Sequence, residues 1–177
     1  MSRIGSSKVL QHKIMLDVLT DESLKQSVKP NDRTLGGIAW HIVTALQSFL
    51  GQTGLTFDAP SHHATVPTTA NEMIDTYRQA SQSLIKAIKT QWTDETLTES
   101  CNMFGQFEWA KGFSLFMLIN HQIHYHGQMT IPMRQANIIV PGVYGPAKEE
   151  LLLLVVGIQL IPLWHLLPVQ RTISSNK

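Results

Sequence analysis

The composition of this chain is that of an ordinary globular protein. It has 177 residues, of which 43% are hydrophobic and 15% are charged, and its 14 Lys and Arg residues and 13 Asp and Glu residues leave a formal net charge of +1. This length and composition predict one domain that buries a sizeable core, and they exclude a disordered or collagen-like chain. Because the basic residues form no cluster, a nucleic acid is not expected as a partner.

Four stretches of the sequence show the apolar spacing that is typical of helices. The first runs from about Lys8 to Leu19, and Pro30 prevents a continuous helix into the second. The second begins after Thr34, the expected N-cap, and its apolar residues follow at spacings of three and four: Ile38, Ile42, Ala45, Leu46 and Phe49. The third is predicted from near Thr69 to about Gln91, and the fourth from about Trp109 to Ala136.

The segments between these helices are polar or rich in turn-forming residues, and none resembles a linker between domains. Residues 138–146 contain too many Gly and Pro residues for a helix, so we expect a structured loop there. Four amphipathic helices joined by loops predict an all-α four-helix bundle, and the core of such a bundle commonly holds metal or ligand sites.

Histidines on two of the predicted helices are candidates for a metal site. Positions i and i+4 of a helix lie about 40° apart around the axis, and positions i and i+3 about 60° apart, so His121 can share a face with Tyr125 or with His124. That face also carries Phe113, Met117 and Gln128. We therefore expect it to point into the bundle, and His41 lies on the apolar stripe of its own helix.

Three nitrogen or oxygen donors from two helices, with one coordination position open, are what a catalytic divalent metal requires. The spacing alone leaves open that these histidines are hydrogen-bonded core residues. The remaining histidines show no comparable pattern: His12, His62, His63, His126 and His165.

Three segments carry a resemblance to a known family: TLGGIAWHI at 34–42, NHQIHYHGQMT at 120–130 with MRQA at 133–136, and PGVYGP at 141–146. Their order and spacing, over about residues 1–149, resemble those of the DinB-like proteins of the DinB/YfiT superfamily. The resemblance implies a four-helix bundle, often dimeric, that holds a divalent metal on three histidines. One of these lies on the second helix, and two lie at i and i+4 on the last helix.

His41 and His121 match the first two of these histidines, but the third position is Tyr125 in this chain. Three outcomes are open. The phenol of Tyr125 can bind an oxidised, hard metal, because a bound cation favours the deprotonated form of its ligand. Alternatively, His124 can turn in as the third ligand and keep a three-nitrogen site suited to Zn, Ni or Fe. Finally, the chain can lack metal and keep only a histidine pair and a tyrosine.

Relatives with this resemblance include thiol transferases, which attach low-molecular-weight thiols to electrophiles, and metal-dependent hydrolases. Both imply a small-molecule substrate and a cation that lowers the pKa of a bound thiol or water. Asn120, Gln128 and Arg134 are candidates for orienting a ligand or a substrate carboxylate, although each can equally have a structural role. The rival interpretation is a non-enzymatic, metal-free bundle that acts as a binding or stress-associated module.

The sequence after about residue 149 differs in character from the rest of the chain. Residues 151–169 contain no charged residue, so we divide the chain into a DinB-like domain at 1–149 and an apolar tail at 150–177. Four residues interrupt the apolar segment: Gln159, Pro162, His165 and Pro168. We therefore favour a helix packed on the bundle or on a second subunit over a membrane-associated tail, and place a tail altered by a shifted reading frame third.

The single cysteine, Cys101, cannot form an internal disulfide, and residues 1–8 lack the apolar run of a secretory signal. We expect a cytoplasmic protein in which Cys101 is an incidental thiol, and the resemblance implies a homodimer.

Overall fold

The computed structural model describes residues 15–143 and 145–155, and over these residues the chain is mostly helical. The longer helices are α1 (Leu35–Leu50), α2 (Ala70–Gln91), α3 (Lys111–Gln135) and α4 (Lys148–Val155). Single 3-10 turns occur at Ser23–Lys25, Gly51–Thr53 and Thr96–Thr98. The strands β1 (Ser100–Met103) and β2 (Phe107–Ala110) form an antiparallel hairpin between α2 and α3. The chain divides into two compact units, residues 1–140 and 141–177, which are described separately.

Threonine side chains begin the first two long helices, as the sequence predicts. The Thr34 hydroxyl accepts a hydrogen bond from the Gly37 amide at 3.1 Å, and the Thr69 hydroxyl accepts one from the Glu72 amide at 3.3 Å. Each hydroxyl satisfies an amide that has no partner within the helix. The predicted end of α2 at Gln91 is also confirmed. Most of the predicted helix at 8–19 lies outside the described residues. Of the part that is described, residues 15–17 are helical.

The hairpin is an addition that the sequence analysis did not predict. Its ladder pairs Cys101 with Trp109, so α3 begins at Lys111 and not at Trp109. Three residues, 104–106, connect the paired Met103 and Phe107, and the Gln106 amide donates to the Met103 carbonyl at 3.1 Å. The first two residues of this loop have positive φ, 59° for Phe104 and 67° for Gly105, as in the type I′ turns of many hairpins. The usual sequence signal for such a turn is Asn or Asp before Gly. Here Phe104 precedes Gly105, so the sequence lacks that signal.

Helix α1 lies at the centre of the first unit and packs against both α2 and α3. Of its 16 residues, 11 are buried, since a helix that is apolar on most sides must be covered on most sides. Helix α3 instead buries one stripe, whose members follow one another at spacings of three and four: Ser114, Leu118, Gln122, His126, Met129 and Met133.

The prediction of which face of α3 points inward is wrong: the buried face is displaced from the predicted one by one residue. Phe113 is 43% exposed, Gln128 is exposed and Met117 is half-buried, whereas their neighbours Ser114 and Met129 are buried. One residue corresponds to about 100° of rotation around a helix. The buried stripe contains Ser114, a glutamine and a histidine, so apolar spacing alone selects the wrong face.

The second unit is described over residues 141–143 and 145–155. The Glu150 carboxylate accepts hydrogen bonds from the amides of Gly142 and Ala147, each at 3.0 Å, and so caps the start of its own helix α4. Most of the predicted apolar tail at 150–177 falls outside the described residues. Of the helices within the described ranges, none has the combination of length and apolar character that crossing a membrane requires.

We expect Thr34→Ala to lower the free energy of unfolding by about 1 kcal/mol, because it removes the acceptor for the Gly37 amide. Urea unfolding followed by circular dichroism measures the change. Thr34→Ser keeps a hydroxyl and is the matched control. Equal destabilisation by both variants would contradict the capping role.

The buried His126 predicts a loss of stability in acid. Burial lowers its pKa from the ordinary value of 6.5 to about 4. Between pH 6.5 and 4 the unfolded chain therefore binds a proton that the folded chain does not, so the free energy of unfolding falls as the pH falls through this window and is at its full value above it.

Urea unfolding between pH 7 and 4 tests this expectation. His126→Gln, which cannot titrate, should show a shallower fall with pH than the natural chain, whatever its stability at pH 7. A slope that His126→Gln leaves unchanged would assign the acid sensitivity to other groups.

Candidate functional site

Helices α1 and α3 bring together two histidines that the sequence analysis assigned to one site. The Nε2 atoms of His41 and His121 are 3.1 Å apart, and their ring centroids are 4.9 Å apart. Both side chains are half-buried. Two ring nitrogens at this distance form a hydrogen bond, so one ring carries its proton on Nε2 and the other accepts.

The surroundings of both rings lower their pKa and so favour neutral imidazole. Burial, together with the neighbouring His41, His124 and Arg33, lowers the pKa of His121 from 6.5 to about 4. Burial, Arg33 and His62 likewise lower the pKa of His41. Neutral imidazole is the form that binds metals. The Nδ1 atom of His121 is buried and has no hydrogen-bond partner within the described part of the chain.

The ring of Tyr125 packs against both histidines of the pair. It follows His121 by one helical turn, and its ring centroid lies 4.6 Å from that of His121 and 4.4 Å from that of His41. The Arg33 guanidinium lies 5.9 Å from the Tyr125 ring centroid, within the range of a cation–π contact. Tyr125 is therefore the residue of α3 that packs on both histidines.

His124, the alternative third ligand, lies on the exposed side of α3. Its Nε2 atom accepts a hydrogen bond from the Gln128 amide at 2.7 Å, one turn further along the helix. The other polar candidates are also on exposed parts of α3. The Asn120 amide donates to the Phe116 carbonyl at 2.8 Å, and Arg134 lies about three and a half turns further along α3 than His121. The structure places none of these side chains at the histidine pair.

The pair opens into a cleft of about 600 Å³. Among the described residues that line it, none is Asp, Glu, Lys or Arg. Phe49 of α1 and Phe104 of the hairpin turn form one wall, with ring centroids 5.6 Å apart in an edge-to-face arrangement. The side-chain carbonyl of Gln47, another lining residue, is buried without a hydrogen-bond partner among the described residues. The cleft suits a small ligand with an apolar part.

His62 is a site residue that the sequence analysis missed. It lies in the loop between α1 and α2, lines the cleft, and has its ring centroid 6.4 Å from that of His41. Helical spacing gives no signal for a loop residue. Only the path of this loop brings His62 to the cleft, and that path depends on contacts distant in sequence, such as the hydrogen bond from the Trp40 indole nitrogen to the Ala64 carbonyl.

Two of the coordination positions of a divalent metal can be filled by residues present here, His41 and His121. A tetrahedral ion with metal–nitrogen bonds of about 2.0–2.1 Å holds its nitrogens about 3.3 Å apart, close to the separation of the two Nε2 atoms. Two neutral imidazoles suit Zn, Ni or Fe. Within the described residues no group of three His, Cys, Asp or Glu side chains is close enough to hold a metal. The third position is therefore left to Tyr125 or to a group from outside α1 and α3.

Comparisons with known proteins agree with this fold. The sequence matches the DinB family model over residues 10–156, so the chain belongs to the DinB family. The resemblance to DinB-like proteins that the sequence analysis identified is therefore confirmed.

Individual relatives are bacterial. The uncharacterized protein YrdA of Bacillus subtilis is 52% identical over 136 residues, which are 77% of this chain and 81% of YrdA. The crystal structure of a DinB-like protein from Bacillus cereus ATCC 10987 is 45% identical, with a TM-score of 0.76 over 78% of this chain and 92% of that chain. The DinB-like protein YjoA of Bacillus subtilis is 17% identical, with a TM-score of 0.61 over 77% and 92%, and shows the fold alone.

We expect Arg33→Ala to raise the pKa of His41, and that of His121 to a smaller extent, because the Arg33 cation lowers both. Titration of the imidazole signals by NMR measures the two values. Arg78→Ala removes a cation that pairs with Asp75 on α2 and is the matched control. Equal shifts in both variants would show that the effect is not local to the histidine pair.

Proposed function

We propose that this chain binds a divalent metal, Zn, Ni or Fe, between α1 and α3 and uses it to activate a low-molecular-weight thiol or a water for attack on a small molecule. The observation that carries the proposal is the 3.1 Å separation of the two Nε2 atoms of His41 and His121. The proposal includes the four-helix bundle and the homodimer that the family implies, and the cytoplasmic location expected from the sequence.

The protein side chains have distinct roles in this proposal. His41 and His121 offer two nitrogens from separate helices, and the lowered pKa of each favours the neutral form. The Phe49 and Phe104 rings exclude water from one side of the cleft and leave room for a substrate. A bound divalent cation would lower the pKa of a thiol or water, so that the deprotonated form exists near neutral pH.

Of the two third ligands considered on α3, the contacts favour Tyr125. Its ring lies against both histidines, whereas His124 is exposed and already accepts a hydrogen bond from Gln128. To bind at the pair, His124 must give up that hydrogen bond and change its rotamer. Asn120, Gln128 and Arg134 can approach a substrate only from the exposed side of α3.

A second candidate function is a metal-free binding module. It is favoured by the hydrogen bond that already joins His41 to His121, and by the lack of a group of three His, Cys, Asp or Glu side chains in the described part of the chain. In this case the cleft of about 600 Å³ binds a small molecule without transforming it.

Metal analysis separates the two functions. We expect protein purified without a histidine tag to contain near-stoichiometric metal by plasma mass spectrometry, and His41→Ala and His121→Ala each to abolish it, because each removes one of the two convergent nitrogens. Far-UV circular dichroism should remain helical. His124→Ala is the control and should keep its metal. Metal retained in both His41→Ala and His121→Ala would refute the site.

Tyr125→His tests whether position 125 limits the site. This variant adds a third nitrogen one turn after His121, so we expect it to bind Zn or Ni more tightly than the natural chain in competition with a chelating dye. Metal found in Tyr125→His and not in the natural chain would favour the metal-free module. Equal affinity in both would mean that position 125 does not reach the metal.

A further inference from the structure

We propose that His62 supplies a third nitrogen ligand to the metal, from the loop between α1 and α2 and beside the nitrogens of His41 and His121. The inference rests on the proposed metal site and names a ligand that neither helix provides. It follows from three features of the structure: the composition of the cleft, the position of the His62 ring and the anchoring of its loop.

Among the described residues, the composition of the cleft leaves His62 as the one candidate beside His41 and His121. Nitrogen, thiolate and carboxylate ligands come from His, Cys, Asp and Glu, and among the residues that line the cleft these are His41, His62 and His121. Tyr125 offers an oxygen, which suits harder metals than imidazole does. A site that prefers Zn or Ni therefore gains most from His62.

The His62 ring is close to the position that a ligand needs. Two imidazoles bound through Nε2 to one tetrahedral ion have ring centroids about 5 Å apart, and His41 and His121 are 4.9 Å apart. The His62 centroid is 6.4 Å from that of His41, with the ring planes at 78°. As placed, the three rings do not yet form a group that holds a metal, and the His62 centroid is about 1.4 Å further from that of His41 than a shared ion requires. The proposal therefore requires a change of the His62 side-chain rotamer that brings the ring inward. His62 is exposed, and within the described residues no hydrogen bond opposes such a change.

The loop backbone is held in place on both sides of His62. The Trp40 indole nitrogen donates to the Ala64 carbonyl at 3.0 Å, and the Asp58 amide donates to the Ser83 hydroxyl at 2.8 Å. Trp40 is buried and directly precedes His41, so the residue before the first ligand fixes the loop that carries the third. His62 can therefore reach the metal without the ordering cost of a free loop.

His63 provides a matched control. It is exposed, adjacent to His62 in the sequence and in ring contact with it at 5.5 Å, but it does not line the cleft. We expect His62→Ala to weaken Zn binding by at least about ten-fold, since even partners that only orient a metal ligand contribute about 10- to 100-fold. His63→Ala should bind Zn as the natural chain does.

The experiment is a competition titration of metal-free full-length protein with Zn, followed by Co²⁺ absorption spectra of the same variants. Loss of one nitrogen should change the Co²⁺ ligand-field bands in His62→Ala and leave them unchanged in His63→Ala. The double variant His62→Ala, Tyr125→His restores a third nitrogen from α3, so it should recover Zn affinity. This recovery would show that His62→Ala had not simply damaged the fold.

The outcomes separate the two proposals. Full Zn affinity in His62→Ala, with loss in His41→Ala, would overturn the role of His62 and leave the metal site intact. Equal weakening in His62→Ala and His63→Ala would also overturn it, because the effect would belong to the loop. If neither the natural chain nor any single variant binds Zn or Co²⁺, the proposed metal function fails, and the His62 inference fails with it.

Discussion

A buried hydrogen bond sets the register of α1 against α3, and the candidate site depends on it. The Gln122 amide donates to the Ile42 carbonyl at 2.9 Å, and these residues directly follow His121 and His41. A single hydrogen bond of this kind contributes about 0.5–1.5 kcal/mol, but an amide buried without its partner costs more, so alternative registers are disfavoured. The same contact that orders the core therefore aligns the two histidines at 3.1 Å.

The histidine pair combines burial with access to solvent. Burial and, to a smaller extent, the neighbouring His41, His124 and Arg33 lower the pKa of His121 to about 4, while the cleft keeps one side of the pair open to a ligand. The buried Nδ1 of His121 and the buried side-chain carbonyl of Gln47 lack partners within the described residues, which is unfavourable for folding. Local features that oppose stability are typical of functional sites, because binding a ligand can compensate for them.

The rest of the cleft comes from segments between the helices. The hairpin turn brings Phe104 against Phe49 of α1, and the loop between α1 and α2 brings His62 within 6.4 Å of His41. Both segments are held by contacts distant in sequence, such as the hydrogen bond from Trp40 to the Ala64 carbonyl. The helices thus provide the nitrogen pair, and the connections define the space in front of it.

Local signals in the sequence determined the helix starts at Thr34 and Thr69, the end of α2 at Gln91, the family, and the two histidines on separate helices. These features depend on capping, spacing and short motifs, which act within a few residues. The tertiary structure alone decided the buried face of α3 and the position of His62. Both depend on packing between distant segments, and a buried polar stripe or a loop histidine leaves no periodic signal in the sequence.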